Sequence, residues 1–275
     1  MIFHRRIPDP PLGQFVDWLW YYDHFYPSHL REHVLPDGTF ELVIDLSDKP
    51  RKLFDRQDFT RYDSFRRGWL SGAHSEYIVI DALPNSSMIG AHFKPGGVMP
   101  FLGLPADELR DQVVELEPIW GASGWELRDR LLAAPSPEAK FRLLEQFLLY
   151  RLSKDSIAID GRRRVDWALS QFLEQPHRPI RAVVDGLGVS HKHFIEEFRR
   201  QVGLTPKLFC RIRRFQGILS QINSRQTVEW ADVACSCGYF DQAHFVNDFQ
   251  AFAGLNPSAY LSHRLDDSNF VPVPD

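Results

Sequence analysis

Three cysteines and three methionines stand among the 275 residues, and no apolar run approaches the ~20 residues that a membrane span needs. So few cysteines, odd in number, exclude a disulfide framework and point to a reducing compartment. The opening residues Met1-Ile2-Phe3-His4-Arg5-Arg6-Ile7-Pro8 lack the apolar core of a secretory signal, so a cytoplasmic protein without membrane contact is expected. Also lacking is a dense His-x-His cluster with a following carboxylate, which argues against a metal-dependent catalyst despite His4, His24, His29, His33, His74 and His92. Cys235 and Cys237 are separated by one residue, too few for a structural zinc pair, and no Ser/His/Asp or Cys/His nucleophile pattern is present. The expectation is no enzyme, no metal and no cofactor. Lys94-Pro95-Gly96-Gly97 is better explained as a turn than as an anion cradle, since no helix with a phosphate-binding lysine follows it.

An overall excess of positive charge is missing as well: the net charge is −4. Its distribution is uneven. Residues 160–264 hold 14 Lys/Arg against 10 Asp/Glu, which leaves 18 against 26 for the rest of the chain. An anionic polymer would therefore find its attraction in the C-terminal region. The composition, 44% hydrophobic and 25% charged, is that of a globular protein long enough for two cores.

The chain changes character along its length. Residues 1–103 read as β-rich. Pro36-Asp37-Gly38 makes a turn before the alternating Phe40, Leu42, Ile44 and Leu46, and residues 76–80 and 88–93 are further strand candidates. Residues 53–67 resist assignment. From about 105 the period becomes helical, with Pro105-Ala106-Asp107-Glu108 and Pro137-Glu138 as helix starts. Phe141, Leu144, Phe147, Leu148 and Leu152 form a stripe, for packing within the domain or for dimerisation. The expected organisation is a β-rich sensor or dimerisation domain with trailing helices at 1–155, a linker at 156–161, an all-α domain at 162–264 and a flexible tail at 265–275.

The all-α region writes a single design twice. A short apolar helix stops at a glycine (Gly188, Gly238), a capping residue follows (Ser190, Asp241), and a second helix carries Phe at i and i+4 (Phe194/Phe198, Phe245/Phe249). This is helix, tight turn, helix. A long helix after Thr205-Pro206, with Leu208, Phe209, Ile212, Phe215, Leu219 and Ile222 on one side, joins the copies as a stiff spacer.

At these residues the chain resembles the AraC/XylS family of transcription regulators. The resemblance covers roughly 162–264. It rests on Gly188-Val189-Ser190 with Phe194 and Phe198, on Gly203-Leu204-Thr205-Pro206, on Ile212-Arg213-Arg214-Phe215, and on residues 238–245 followed by Gly254-Leu255-Asn256-Pro257-Ser258-Ala259-Tyr260. Leu35-Pro36-Asp37-Gly38, Phe93-Lys94-Pro95-Gly96-Gly97, and Leu109-Arg110-Asp111 before Leu116-Glu117 resemble an uncharacterised sensor-like domain found fused to such DNA-binding domains. Together these imply an α+β chain of two domains, a cupin-like or related barrel followed by two helix-turn-helix units.

In a helix-turn-helix the N-terminal half of the second helix faces base edges. In the first unit those positions are His191, Lys192, Ile195 and Glu196. Lys192 suits guanine and Glu196 cytosine, although the two stand at i, i+4 and can pair with each other. In the second unit they are Gln242, Ala243, Val246 and Asn247, with the amides suited to adenine and Val246 to a thymine methyl. Arg199, Arg200, Lys207, Arg211, Arg213 and Arg214 are the candidates for phosphate. His244 is expected to be a structural hydrogen-bonder. Residues 224–262 carry one basic side chain, Arg225, against Glu229, Asp232, Asp241 and Asp248. Family members often have Arg or Lys where Asn247 and Gln250 stand here, so affinity is expected to come mainly from the first unit and the joining helix. Trp69, His74, His92 and Phe93 are candidates to line a small ligand pocket in the β domain. The leading expectation is a regulator that binds double-stranded DNA, with a small-molecule effector or a homodimer contact in its N-terminal domain. The alternative is a cupin-like binding or catalytic protein whose helical domain no longer binds DNA strongly.

Overall fold

The computed structural model describes residues 2–152, 159–223, 228–239, 241–265 and 267–273. Ten strands form first: β1 (Ile2–Arg6), β2 (Val16–Phe25), β3 (Arg31–Val34), β4 (Glu41–Asp45), β5 (Arg51–Phe54), β6 (Tyr62–Phe65), β7 (Gly68–Ser71), β8 (Ile78–Asp81), β9 (Ser86–Phe93) and β10 (Val113–Glu115). Among them lie helix α1 (Met99–Leu102) and the 3₁₀ turns Leu12–Gln14 and Ala106–Leu109. Then come α2 (Leu116–Trp120), α3 (Ser123–Ala133) and α4 (Pro137–Leu152). The helical domain is α5 (Ile159–Glu174), α6 (Ile180–Val184), α7 (His191–Val202), α8 (Pro206–Asn223), α9 (Trp230–Ser236), α10 (Gln242–Ala253) and α11 (Pro257–His263), followed by a strand β11 (Phe270–Pro272).

The strands form two antiparallel sheets, ordered β1-β2-β9-β4-β7-β10 and β11-β3-β8-β5-β6. One face of the first sheet is apolar: Leu19 and Tyr21, Ile89, Ala91 and Phe93, Leu42 and Ile44, and Leu70 are all buried. The turn Pro36-Asp37-Gly38 falls just before β4, and the alternation at Leu42 and Ile44 aims these side chains at that core. Helix α4 buries Phe141, Leu144 and Leu148 in its own domain, and Glu145 receives Arg6 at 3.0 Å. Its stripe is therefore used within the domain, while Leu149 and Tyr150 stay exposed on its other side.

Several expected boundaries move. Residues 53–67 hold most of the β5–β6 hairpin, whose turn is held by Asp55 accepting from the amides of Gln57 and Asp58. Strand β2 carries apolar or aromatic groups on both faces, so it shows no alternation to read. The Pro105 start gives a 3₁₀ turn and not a helix. Of the expected linker, 156–158 lie outside the described residues, and 159–161 already belong to the first turn of α5.

The largest correction concerns the tail. The segment 265–275, expected to be flexible, contains β11, which pairs with β3 through Phe270–Val34, Val271–His33 and Pro272–Glu32. Val271 is fully buried, which supplies the physical reason: an apolar side chain and a backbone ladder together outweigh the entropy of a free end. The chain thus returns from the helical domain to the N-terminal domain, as an edge strand of the second sheet.

Candidate nucleic-acid interface

Both helix-turn-helix units take the form their capping residues dictate. Ser190 caps α7 by accepting from the His193 amide at 3.2 Å, and Asp241 caps α10 by accepting from the His244 amide at 2.7 Å. Gly188 and Gly238 make the turns with φ of 68° and 76°, a region that disfavours side chains with a Cβ. Phe194, Phe198 and Val202 of α7 are buried against Phe172 and Phe209, and Phe245, Phe249 and Phe252 of α10 against Phe215 and Trp230. Helix α8 holds the two units apart; its 18 residues span about 27 Å at ~1.5 Å per residue, of the order of the ~34 Å between successive major-groove faces.

The base-reading candidates face outward. Lys192 is 88% exposed and stands 4.0 Å from Glu196, so the two form a loose pair on an open surface. Ile195 is exposed beside them, and His191 lies 3.2 Å from Asp185 across the turn. In the second unit Gln242, Ala243 and Asn247 are exposed. Val246 is half-buried and, with Gln242, borders a shallow groove walled by Trp230 and Pro257. His244 lies edge-on to Tyr239, with its Nε2 3.7 Å from Asp248, an arrangement internal to the fold.

The phosphate candidates divide. Arg200 and Lys207 are exposed and make no ion pair among the described residues. Arg211 turns inward and clasps the buried Asp248 at 2.6 and 3.2 Å, which makes it a structural group of the second unit. Arg214 lies over the Tyr239 ring at 5.0 Å and donates to the Gly238 carbonyl. Burial raises the Tyr239 hydroxyl above its ordinary value, with Asp248 adding to the effect. Arg199 donates to Asp107 of the N-terminal domain at 3.0 Å. Arg213 is sequestered: its Nη1 donates to the Asp37 carbonyl at 3.2 Å, and burial lowers its guanidinium below the ordinary value against the opposing pull of Asp37 and Asp17. Arg211, Arg213 and Arg214 are each engaged within the protein, through contacts that sequence spacing does not reveal.

Sequence reasoning passes over Arg181. It lies on α6, 85% exposed, with Asp185 at 3.6 Å one turn on. The first helix of such a unit crosses the phosphate backbone, so its place in α6 is the available signal. Arg225 and Phe240 lie outside the described residues.

The four pocket candidates do not line one site. Strand alternation puts His92 and Phe93 on opposite faces of β9. Phe93 is fully buried beside Phe101 at 5.3 Å. His92 stacks on Trp18 at 4.0 Å between two carboxylates, Glu41 at 2.5 Å and Asp37 at 3.3 Å. Burial alone would lower this imidazole, but Glu41, Asp37 and Asp17 together carry it up to about 9. His74 binds the Ser71 hydroxyl at 2.9 Å, and burial pushes it down to about 4. Trp69 stands beside Phe65. Among the described residues no group of three or more His, Cys, Asp or Glu is placed to hold a metal, and no helix is long and apolar enough to cross a membrane.

The N-terminal domain grips each element of this interface. Asp107, on a 3₁₀ turn, takes Arg199 of the first unit. The Pro36 and Asp37 carbonyls accept from Gln216 and Arg213 of α8 at 2.8 and 3.2 Å. His33 Nδ1 lies 2.9 Å from the Ala253 carbonyl of the second unit. Gly38, at φ 85°, lets the loop approach Phe209 so closely that a Cβ there would stand 3.0 Å from the ring. The Leu35–Gly38 segment is thus both a turn and the seat for α8.

Residues 183–263 match a family model described as a helix-turn-helix domain, and residues 4–115 match one described as a domain of unknown function, DUF6597. An uncharacterized HTH-type transcriptional regulator of Haemophilus influenzae is 28% identical over 120 residues, which are 43% of this chain and 37% of that protein. The matched stretch therefore spans little more than a third of that relative. Among solved structures, ToxT from Vibrio cholerae O395 bound to (E)-4-(8-methylnaphthalen-1-yl)but-3-enoic acid has a TM-score of 0.48 at 8% identity, covering 94% of this chain and 98% of that one. The AraC-like transcriptional activator CuxR has a TM-score of 0.31 at 14% identity, covering 81% and 87%.

Proposed function

We propose that this chain, whose C-terminal domain is a helix-turn-helix domain of the AraC type, is a sequence-specific DNA-binding transcription regulator. The observation that carries the reading is the pair of capped helices α7 and α10, each presenting an outward N-terminal face, on the two ends of one stiff helix. Lys192 and Glu196 would read bases in one major-groove segment, and Gln242 and Asn247 in another. Arg200, Lys207 and Arg181 would hold phosphates, giving affinity and salt dependence without sequence preference.

In this reading the two units contribute unequally. The first brings exposed cations of its own. The second brings amides and a thymine-facing valine, while Arg211, the cation that meets α10, is committed to Asp248. The N-terminal domain would receive the signal, from a small molecule or a second copy of the chain. Two copies would place two such domains on repeated half-sites. Either signal could reach the DNA-binding units through Asp107, the Leu35–Gly38 loop and His33. The role asks for binding and for no catalysis.

Footprinting of the tagged protein on genomic DNA is the test. Protected sites with a recurring motif and a spacing near one helical turn between segments are expected. Absence of protection at low salt, with the protein folded, would remove the reading.

A further inference from the structure

The return of the chain to the N-terminal sheet gives the helical domain a second fastening. The first is the covalent one around residues 153–158, where the chain passes from α4 to α5. The second is β11. Its ladder continues beyond the strand, with the Leu35 amide donating to the Asn269 carbonyl and the Val273 amide to the Arg31 carbonyl, each at 2.9 Å. The segment leading to it is tied to the DNA-binding side: Tyr260 donates to the Ser268 carbonyl at 2.8 Å, and Gln216 bridges Asn269 and Pro36 at 2.8 Å each. Between these two fastenings lie both helix-turn-helix units and the helix that joins them. For the helical domain to swing away from the β domain as a body, either β11 must peel off β3 or the bonds that Tyr260 and Gln216 make to the segment before it must break.

What the closed arrangement does to charge gives this fastening a function. Arg199 and Arg213 are two of the cations best placed by sequence to meet phosphate. In the closed arrangement one is on Asp107 and the other, half-buried, donates to the Asp37 carbonyl. Both N-terminal partners offer oxygen acceptors, as a phosphate would, so β domain and duplex compete for the same two guanidinium groups. The peeling unit is small, a strand of three residues with one fully buried side chain, Val271, so a modest event at β3 could release it. His33 sits at that point: it pairs with Val271, holds the Ala253 carbonyl of the second unit and stacks on Tyr77 at 4.3 Å.

From this geometry we infer that residues 267–273 are an autoinhibitory strap, which holds the helical domain against the β domain in a state that binds DNA weakly and whose release frees Arg199 and Arg213 for phosphate. The inference rests on the DNA-binding reading above, and the experiment separates the two.

The measurement is fluorescence anisotropy on a labelled random-sequence duplex over a series of salt concentrations, so no operator need be known. Two released forms are compared with the full chain: Val271→Asp, and a chain ending at Leu265. A locked form carries Phe270→Cys with Val34→Cys in a Cys235→Ser, Cys237→Ser background. This pair is directly opposed in the ladder, and its position between the hydrogen-bonded pairs puts its side chains at disulfide-compatible range.

Both released forms should bind more tightly at low salt, with a salt slope steeper by roughly two, one for each freed guanidinium. Asp107→Ala should steepen it by roughly one, since it removes the acceptor of Arg199 alone. The oxidised locked protein should bind more weakly than the same protein after reduction, a comparison within one folded chain that does not depend on the released forms staying folded. Equal affinity and slope for locked, reduced and released proteins would overturn the strap while leaving DNA binding intact. Failure of every form to bind the duplex would overturn the DNA-binding reading and the strap with it.

Discussion

Arg211 and Asp248 meet across the helical domain, the guanidinium of α8 closing on a carboxylate of α10 at 2.6 Å. Asp248 is 3% exposed, so it is an anion that the fold must neutralise. The pair joins the linker helix to the second helix-turn-helix unit. It also withdraws from the DNA-facing surface a cation and an anion that sequence alone counts there.

Arg211→Ala should therefore act on stability before it acts on DNA. Removing one partner of a buried pair costs about 3–5 kcal/mol, but Arg211 is one-third exposed, which reduces the expected loss to about 1–3 kcal/mol. Urea unfolding followed by circular dichroism checks this. An unchanged midpoint, with a salt slope for DNA shallower by one, would return Arg211 to the phosphate contacts.

Lys192→Ala and Asn247→Ala separate the two units. Lys192→Ala should weaken binding to a footprinted site by about 1–3 kcal/mol if Lys192 reads guanine, and should relax preference at one base pair. Asn247→Ala should relax preference at a different position with less loss of affinity. Loss of all binding in Asn247→Ala together with a tolerated Lys192→Ala would invert the order proposed here. Arg200→Ala should lower the salt slope by roughly one and leave preference unchanged.

The caps offer a matched pair of tests. Ser190→Ala and Asp241→Ala each leave a first-turn amide without its acceptor and should each cost ~1 kcal/mol, within the 0.5–2 kcal/mol range of such caps. Thermal melts of the two variants check it, and no shift in either would mean that the helix starts are held by packing alone.

Two histidines of the β domain should give stability opposite pH limbs. His92 is raised to about 9, so its contribution is complete below its unfolded value near 6.5 and fades as pH rises from there through 9. His74 is lowered to about 4, so it costs nothing above 6.5 and removes stability as pH falls from 6.5 toward 4. Melting temperatures of His92→Gln and His74→Gln across pH 4–10 should flatten the alkaline limb in the first and the acid limb in the second. Parallel profiles for variant and parent would show that neither group titrates as described.

Gly38→Ala should loosen the seat of α8. Its φ of 85° disfavours any Cβ, and the new atom would meet the Phe209 ring at 3.0 Å. A loss of about 1–2 kcal/mol is expected, with greater hydrogen exchange at Arg213 and Gln216. Unchanged exchange there would show that the loop does not set the domain contact.

Much of this protein is written locally. Ser190 and Asp241 before phenylalanines four residues apart, with glycines behind them, specify helix, turn and helix through interactions that reach only a few residues along the chain. The alternating face of β4 and the amphipathic stripe of α4 are legible for the same reason, since each is a period imposed by one element. Strand β2 is not legible because aromatic groups cover both of its faces, and the β5–β6 hairpin is not because its loop is polar and uses aspartate turns. The outward positions of Lys192, Glu196, Gln242 and Asn247 follow from the buried phenylalanines opposite them.

What local pattern could not decide was the partner of each charged group. Arg200, Arg211 and Arg213 look alike in sequence, yet one faces solvent, one neutralises Asp248 and one, half-buried, donates to the Asp37 carbonyl. His92 and Phe93 look like neighbours in a pocket, yet the pleat sends them to opposite faces. The tail looks like a free end because it is short and opens on the polar run Asp266–Asn269, yet Val271 finds β3 more than two hundred positions earlier in the chain. Helix caps, turns and periodicity arise from short-range sterics and hydrogen bonds, which a sequence carries in place. Ion pairs between domains and a strand added at a sheet edge depend on contacts that exist only once the whole chain has come together.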